Sequence, residues 1–231
     1  MIEQFKQNLS NVRARINNAA QNAGRDPASV HLIGVSKYVD APTTRVLAEA
    51  GCLQLGESRP QLLWEKHEAL SNVSDIRWHM IGHLQRNKVK RTVACCDLIH
   101  SADSQRLLTA INAAGAELGK TVDVLLEVNV SGELSKHGFA DSELEQAFAF
   151  VAELKNVSVK GLMCMAGLAV DDSKREFAML KNLQQKFADY VPANVQLTEL
   201  SMGMSGDFET AIAEGSTMVR VGSALFEGID R

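Results

Sequence analysis

The sequence has little of what most specialised protein classes require. It has four cysteines, Cys52, Cys95, Cys96 and Cys164, and none form a Cys-x-x-Cys pair. That argues against a zinc ribbon or a dithiol centre and leaves four reduced thiols as the simple expectation. Four prolines and ordinary hydrophobic content exclude a collagenous or low-complexity chain. Positive charge is not in excess: 24 Lys and Arg face 28 Asp and Glu, a formal net charge of −4. Such a surface has no general pull toward nucleic acid or anionic lipid. No apolar run approaches the roughly 20 residues that span a bilayer. The opening stretch MIEQFKQNLSNVRARINNAA interleaves charges and amides, so it lacks the apolar centre of a secretory signal. The expectation is a cytoplasmic protein with no membrane or nucleic-acid partner.

What the sequence does have is alternation. Ile2, Phe5, Leu9, Val12 and Ile16 recur at helical spacing, and Gly24 ends the segment. Short apolar runs then alternate with helical ones. Strands are predicted over 30–36, 53–56, 76–82, 97–101, 123–130, 157–166, 195–201 and 218–223. Helical stretches fall over 42–50, 60–70, 84–93, 104–118, 141–154, 173–189 and 208–214. Strands alternating with helices imply a parallel sheet. About eight such units in 231 residues imply a single closed (β/α)8 barrel over 1–231 behind an N-terminal helix. An open doubly wound sheet is the alternative, but the Gly-rich first turn it often carries is missing.

Barrel enzymes and binders work at the carboxyl ends of the strands, so the residues there carry the functional reading. Lys37 closes the first strand, and alternation puts it on the face of Ile33 and Val35. A lysine that loses solvation there gains neutral, nucleophilic character, as a Schiff base requires; the plainer reading is a lysine that extends into solvent. Alternation turns the neighbouring Tyr38 the opposite way. The segment SMGMSGDF, 201–208, supplies Ser201, Gly203, Met204 and Ser205 ahead of a short helix. The loop after the eighth strand supplies Gly222 and Ser223. Two Gly/Ser loops at those positions suit a phosphate, against the simpler reading as capped turns. Arg220, inside an apolar strand, needs an acceptor. Either Glu127 or Glu199 supplies it, or a bound ring nitrogen does. Glu127 and Asn129 share one face of the fifth strand and suggest a buried polar network. Other matches fail: Gly119-Lys120-Thr121 lacks the P-loop's first glycine, and His79 and His83 lie across a strand end, not on one helix.

Seven segments together resemble the pyridoxal-phosphate homeostasis protein family: GVSK, WHMIGHLQRNKVK, LIHSADS, LEVNVSGELSKHGF, GLMCMA, LSMGMSGDF and GSTMVRVGSALF. The resemblance spans nearly the whole chain in order. It implies a fold like the N-terminal barrel of alanine racemase. It also implies pyridoxal 5′-phosphate held as a covalent imine of Lys37, with its phosphate on Ser201 to Ser205 and Gly222-Ser223 and its pyridine nitrogen near Arg220. Ser58 stands where the family usually has Asn, and its shorter side chain reaches less far toward the cofactor ring. Gly167 stands where the family usually has Pro, which is expected to loosen the loop after the sixth strand.

The resemblance further implies a non-catalytic, monomeric carrier or buffer of pyridoxal phosphate, serving cofactor-dependent apo-enzymes. A weak amino-acid racemase is the alternative, and a cofactor-free Schiff-base aldolase a third. Racemisation needs two bases on opposite faces. Racemases with this barrel take the second, a tyrosine, from a following β-domain, which is not expected in a sequence running eight residues past Ser223. Tyr38 and Tyr190 are the only tyrosines.

Overall fold

A computed structural model describes residues 1–133, 136–167 and 170–229. Eight parallel strands close into a barrel in sequence order, β1 pairing with β8. They are β1 His31–Val35, β2 Gln54–Glu57, β3 Arg77–Met80, β4 Leu98–Ala102, β5 Val122–Glu127, β6 Val157–Met163, β7 Val195–Met204 and β8 Met218–Val221. The intervening helices are α2 Ala41–Glu49, α3 Pro60–Ala69, α4 Val89–Cys95, α5 Gln105–Leu118, α6 Leu144–Ala152, α7 Val170–Phe187 and α8 Phe208–Ala213, after α1 Ile2–Asn22. The open doubly wound alternative is therefore excluded. No helix among the described residues is long and apolar enough to cross a membrane.

Local chemistry sets the boundaries. Asp40 caps α2 by accepting from Thr43 N at 2.9 Å, and Pro42 lies in the first turn. Ser104 caps α5, which ends at Gly119 in the left-handed region. The outward-facing strand residues join the helices in one large apolar core. A separate cluster, Ile33, Leu98, Leu125, Met163 and Met218, fills the barrel interior. Leu125 and Glu127 face inward while Val124 and Leu126 join the outer core, as the alternation predicted.

The helix α1 does more than cover the barrel. Phe5 meets Phe226 edge to face, ring centroids 5.4 Å apart. The Asn8 amide donates to the carbonyls of Leu225 (3.0 Å) and Glu227 (2.8 Å). These contacts fix the 3-10 turn Ser223–Phe226 that follows β8.

Several strand ends differ from the sequence reading. β5 stops at Glu127 and β6 at Met163, while β7 runs on to Met204. The pairing of β7 with β8 shifts between Ser201 and Met204, so the segment read as a loop is an irregular strand end. β1 stops at Val35, and Lys37 and Tyr38 form a turn.

Candidate functional site

A cavity of about 360 Å³ opens at the carboxyl ends of β1, β2, β3, β7 and β8. Lys37, Ser58, Met204, Ser205, Arg220, Gly222 and Ser223 all line it. Among the described lining residues there are two cations, Lys37 and Arg220, and no acid. The apolar wall comes from Val35, Ile81 and Phe226, with the half-exposed Met165 at the mouth.

Lys37 reaches the cavity through the turn after β1. The amine lies 4.9 Å from the centre of the Tyr38 ring, and Tyr38 also lines the cavity. This corrects the expectation that Tyr38 faces the opposite way: strict alternation ends with the strand at Val35. Tyr190 is 82% exposed on the outside. A buried ion pair fixes the turn from below. Lys66 on α3 donates to Ser36 O at 2.8 Å and to the Glu57 carboxylate, which also accepts from Ser36 Oγ at 2.9 Å. Ser36 immediately precedes Lys37, so β1, β2 and α3 together set where the Lys37 backbone starts.

The loops after β7 and β8 are tied to each other. Gly222 N donates to Ser205 Oγ at 3.1 Å, which leaves the Ser205 hydroxyl proton to donate elsewhere. The Asp207 carboxylate turns back to accept from Met204 N at 2.6 Å. Gly203 does not line the cavity. It sits at φ +92, and a Cβ there would come within 2.5 Å of Ala211 Cβ and 3.0 Å of Phe208 Cα. Its role is to let β7 approach α8.

Ser201 is likewise absent from the lining. It is fully buried beneath the cavity in a hydrogen-bonded chain. Arg220 Nη1 donates to Ser201 Oγ at 2.6 Å, and Nη2 donates to Cys164 O at 2.9 Å. Ser201 Oγ lies 2.8 Å from His100 Nδ1, and His100 Nε2 lies 2.9 Å from His79 Nδ1. Since Arg220 donates to the serine, the serine proton is best directed at His100 and the His100 proton at His79. Burial holds His79 down to about 3 and His100 well below the usual histidine range. Both imidazoles are therefore neutral near pH 7. Arg220 thus binds neither Glu127 nor Glu199 directly; Glu199 accepts from Thr217 Oγ1 at 2.6 Å. Burial lowers the Arg220 pKa, yet the group stays cationic. Glu127 is pushed up to about 7, first by burial and then by Asp103.

The loop after β6 is described as far as Gly167, and its next two positions, 168 and 169, lie outside the described residues. Gly167 N donates to the buried Glu176 carboxylate at 2.8 Å, a bond that a proline could not make. The cysteines are free, and burial raises the Cys52, Cys96 and Cys164 thiols to about 12, which makes them poor nucleophiles.

Sequence reasoning named seven residues that line the cavity but missed Tyr38, the apolar wall and the supports. Lys66 lies three residues past Leu63 on the buried face of α3, and that spacing was the available signal. His79 and His100 alternate with the outward Met80 and Ile99, which marks them as inward-facing, but nothing local marks them as partners.

Comparison with known proteins places this geometry. The alanine racemase N-terminal domain family matches residues 7–229. The pyridoxal phosphate homeostasis protein of Aquifex aeolicus is 41% identical over 221 residues, 94% of this chain and 95% of that protein. The Escherichia coli protein of the same name is 36% identical over 225 residues, covering 96% of each. Among solved structures, PipY of Synechococcus elongatus with PLP bound superposes with a TM-score of 0.84 at 33% identity, covering 96% of this chain and 99% of that one. Alanine racemase of Clostridium difficile shares the fold, with a TM-score of 0.72 at 16% identity, and this chain spans 56% of its length. In sequence, length and fold alike, the chain belongs to the pyridoxal phosphate homeostasis protein family.

Proposed function

We propose that this protein binds pyridoxal 5′-phosphate in the cavity and acts as a non-catalytic, monomeric buffer or carrier of it. The observation that carries the reading is a pocket whose described lining has two cations, no acid and two linked Gly/Ser turns. Those features suit a small anionic aldehyde that has a ring acceptor. Lys37 contributes the amine for a covalent imine. Ser205, Gly222 and Ser223 hold the phosphate, and the Ser205 hydroxyl proton is available to it. Arg220 has donors beyond the two it uses inside the protein, and these serve the pyridine nitrogen. Ser201 and Gly203 support the site from behind, and Ser58, in the cavity lining, would face the bound ring.

When bound, the cofactor supplies a reversibly held aldehyde. The chain's own residues favour holding it over using it. A guanidinium at the ring nitrogen disfavours pyridine protonation and so weakens the electron sink that carbanion chemistry needs. Tyr38 and Lys37 project from the same turn, whereas racemisation needs bases on opposite faces. The names of the relatives, and the PLP in PipY, favour the same reading, with cofactor-dependent apo-enzymes as recipients.

The test is an absorbance spectrum of reconstituted protein, followed by borohydride reduction and mass analysis. The imine band and the trapped mass should appear on Lys37 and vanish in Lys37→Ala. A band that persists in that variant overturns the assignment. Incubation with L-amino acids in heavy water should yield no D-enantiomer at the roughly 1–10³ per second of ordinary enzymes. Product at such rates would establish a racemase.

A further inference from the structure

Next to the cavity, outside its lining, three strand ends bring two imidazoles and a carboxylate together. The geometry points to a divalent transition-metal site formed by His83, Asp103 and His137. His83 follows β3, Asp103 follows β4, and His137 lies in the loop after β5. Their ligating atoms all lie within 4.8 Å of one another. His83 Nδ1 is 3.0 Å from Asp103 Oδ2, and His137 Nδ1 is 3.8 Å from the same oxygen. The two rings stack with centroids 4.3 Å apart and an interplanar angle of 17°. Ligands bound to one ion at about 2.0–2.2 Å must sit roughly 3 Å apart, so a small rotation of the exposed His137 ring completes the set.

The backbone that presents these groups is fixed. Ser101 Oγ donates to Gly82 O at 2.6 Å, directly before His83. The Asp103 carboxylate is oriented by Ser104, whose hydroxyl donates to Oδ1 at 2.9 Å and leaves Oδ2 to the histidines. A positioned carboxylate of this kind is what metal sites use. Gly138, at φ +111, follows His137. A Cβ there would lie 2.8 Å from Asn129 N and 2.9 Å from Glu127 O, so the loop can fold down only because of this glycine. Phe139 N then donates to Glu127 O at 2.8 Å. The result is that His137 is held over His83.

Two imidazole nitrogens and one carboxylate oxygen suit Zn²⁺, Co²⁺ or Ni²⁺ better than Ca²⁺ or Mg²⁺. Binding at His83 Nδ1 would replace its hydrogen bond to Asp103, and the neutral ring would then carry its proton on Nε2. A hollow of about 560 Å³ beside the set, bordered by Arg86 and Arg106, leaves room for coordinated water or an anion. The ion would join the loops after β3, β4 and β5 at one side of the cavity. The proposal is independent of what the cavity binds.

The experiment uses the whole protein, stripped with a chelator and given no pyridoxal phosphate. Co²⁺ should give a 1:1 ligand-field spectrum without a sulfur charge-transfer band, and Zn²⁺ should compete it away. Asp103→Asn and His137→Gln should each weaken binding about 100-fold or more, beyond the 10–100-fold of an outer-sphere change. Ser104→Ala should weaken it about 10-fold, and His31→Gln, at the other end of the barrel, should leave it unchanged. His137 is exposed, so its variant should keep the melting temperature of the metal-free protein. An absence of 1:1 binding at micromolar metal, or binding that survives Asp103→Asn and His137→Gln combined, overturns the proposal.

Discussion

Two buried polar networks support the cavity, and they handle charge in opposite ways. Outside the barrel, Lys66 and Glu57 form an ion pair with side chains 2% and 0% exposed. Each charge has its counterion, although Glu57 Oε2 has no hydrogen-bond partner among the described residues. Inside the barrel, Arg220 rests on a serine, a carbonyl and two neutral histidines. The first network is closed on itself and faces no ligand. The second leaves its cation with no ion-paired carboxylate among the described residues, and that cation borders the cavity. A buried charge costs several kcal/mol unless it is compensated, so the contrast separates an internal brace from a charge left open to the cavity.

The largest effect is expected from breaking the brace. Lys66→Met leaves the Glu57 carboxylate buried without its cation, and stability should fall by about 3–5 kcal/mol. The readout is a lower urea midpoint at unchanged slope. A loss near zero would mean that Glu57 reaches water and that the pair is not a brace.

Arg220→Met tests the other network. It removes an uncompensated charge, so the ligand-free protein should lose less stability than in Lys66→Met. Affinity for pyridoxal phosphate should fall about 10- to 100-fold, the ~1.5–3 kcal/mol of a charge-assisted hydrogen bond. Equal stability losses in the two variants, with affinity unchanged in Arg220→Met, would erase the distinction drawn here.

A smaller effect appears in the pH dependence. In the unfolded chain His79 and His100 take up protons as pH falls through about 6.5. In the folded protein His79 resists until about 3, and His100 is also held well below its usual range. The unfolded form therefore binds more protons in this window, and stability falls on acidification. Glu127 acts the other way, since its folded pKa of about 7 lets the native form hold a proton that the unfolded chain has released. Two imidazoles outweigh one carboxyl between about 4.5 and 6.5. Denaturant titrations across that range should show a net loss toward acid, steeper in Glu127→Gln. A flat profile in both proteins would show that the histidines are not buried neutral.

The barrel and most of the site were legible because both follow from short-range patterns. Period-two runs such as Val122–Glu127 and punctuating residues such as Gly119 announce strands and helix ends within a few positions. Lys37, Ser205 and Gly222 were found because the barrel rule names strand ends in advance. Tyr38 was misplaced because alternation was carried three residues beyond the strand. Ser201 was read as a ligand donor because a serine in a Gly-rich segment looks the same whether it faces a cavity or an arginine below it. Its partners His100 and Arg220 are far away in sequence, and no local pattern encodes that meeting. Gly167 shows the same limit: its contact with Glu176 depends on where α7 lies.

The contact between α1 and the turn after β8 bears on how the protein is made. Lys37 emerges from the ribosome long before Gly222 and Ser223, so a growing chain exposes this amine without the turn that completes the cavity lining. When that turn emerges it has to dock on Phe5 and Asn8, among the earliest residues synthesised. Since a domain folds as a unit and a lone amphipathic helix is marginal in water, α1 becomes a firm docking platform only when the barrel it packs on is present. Ligand capture is thereby deferred until both ends of the barrel have met, which makes a competent pocket a report on completed folding.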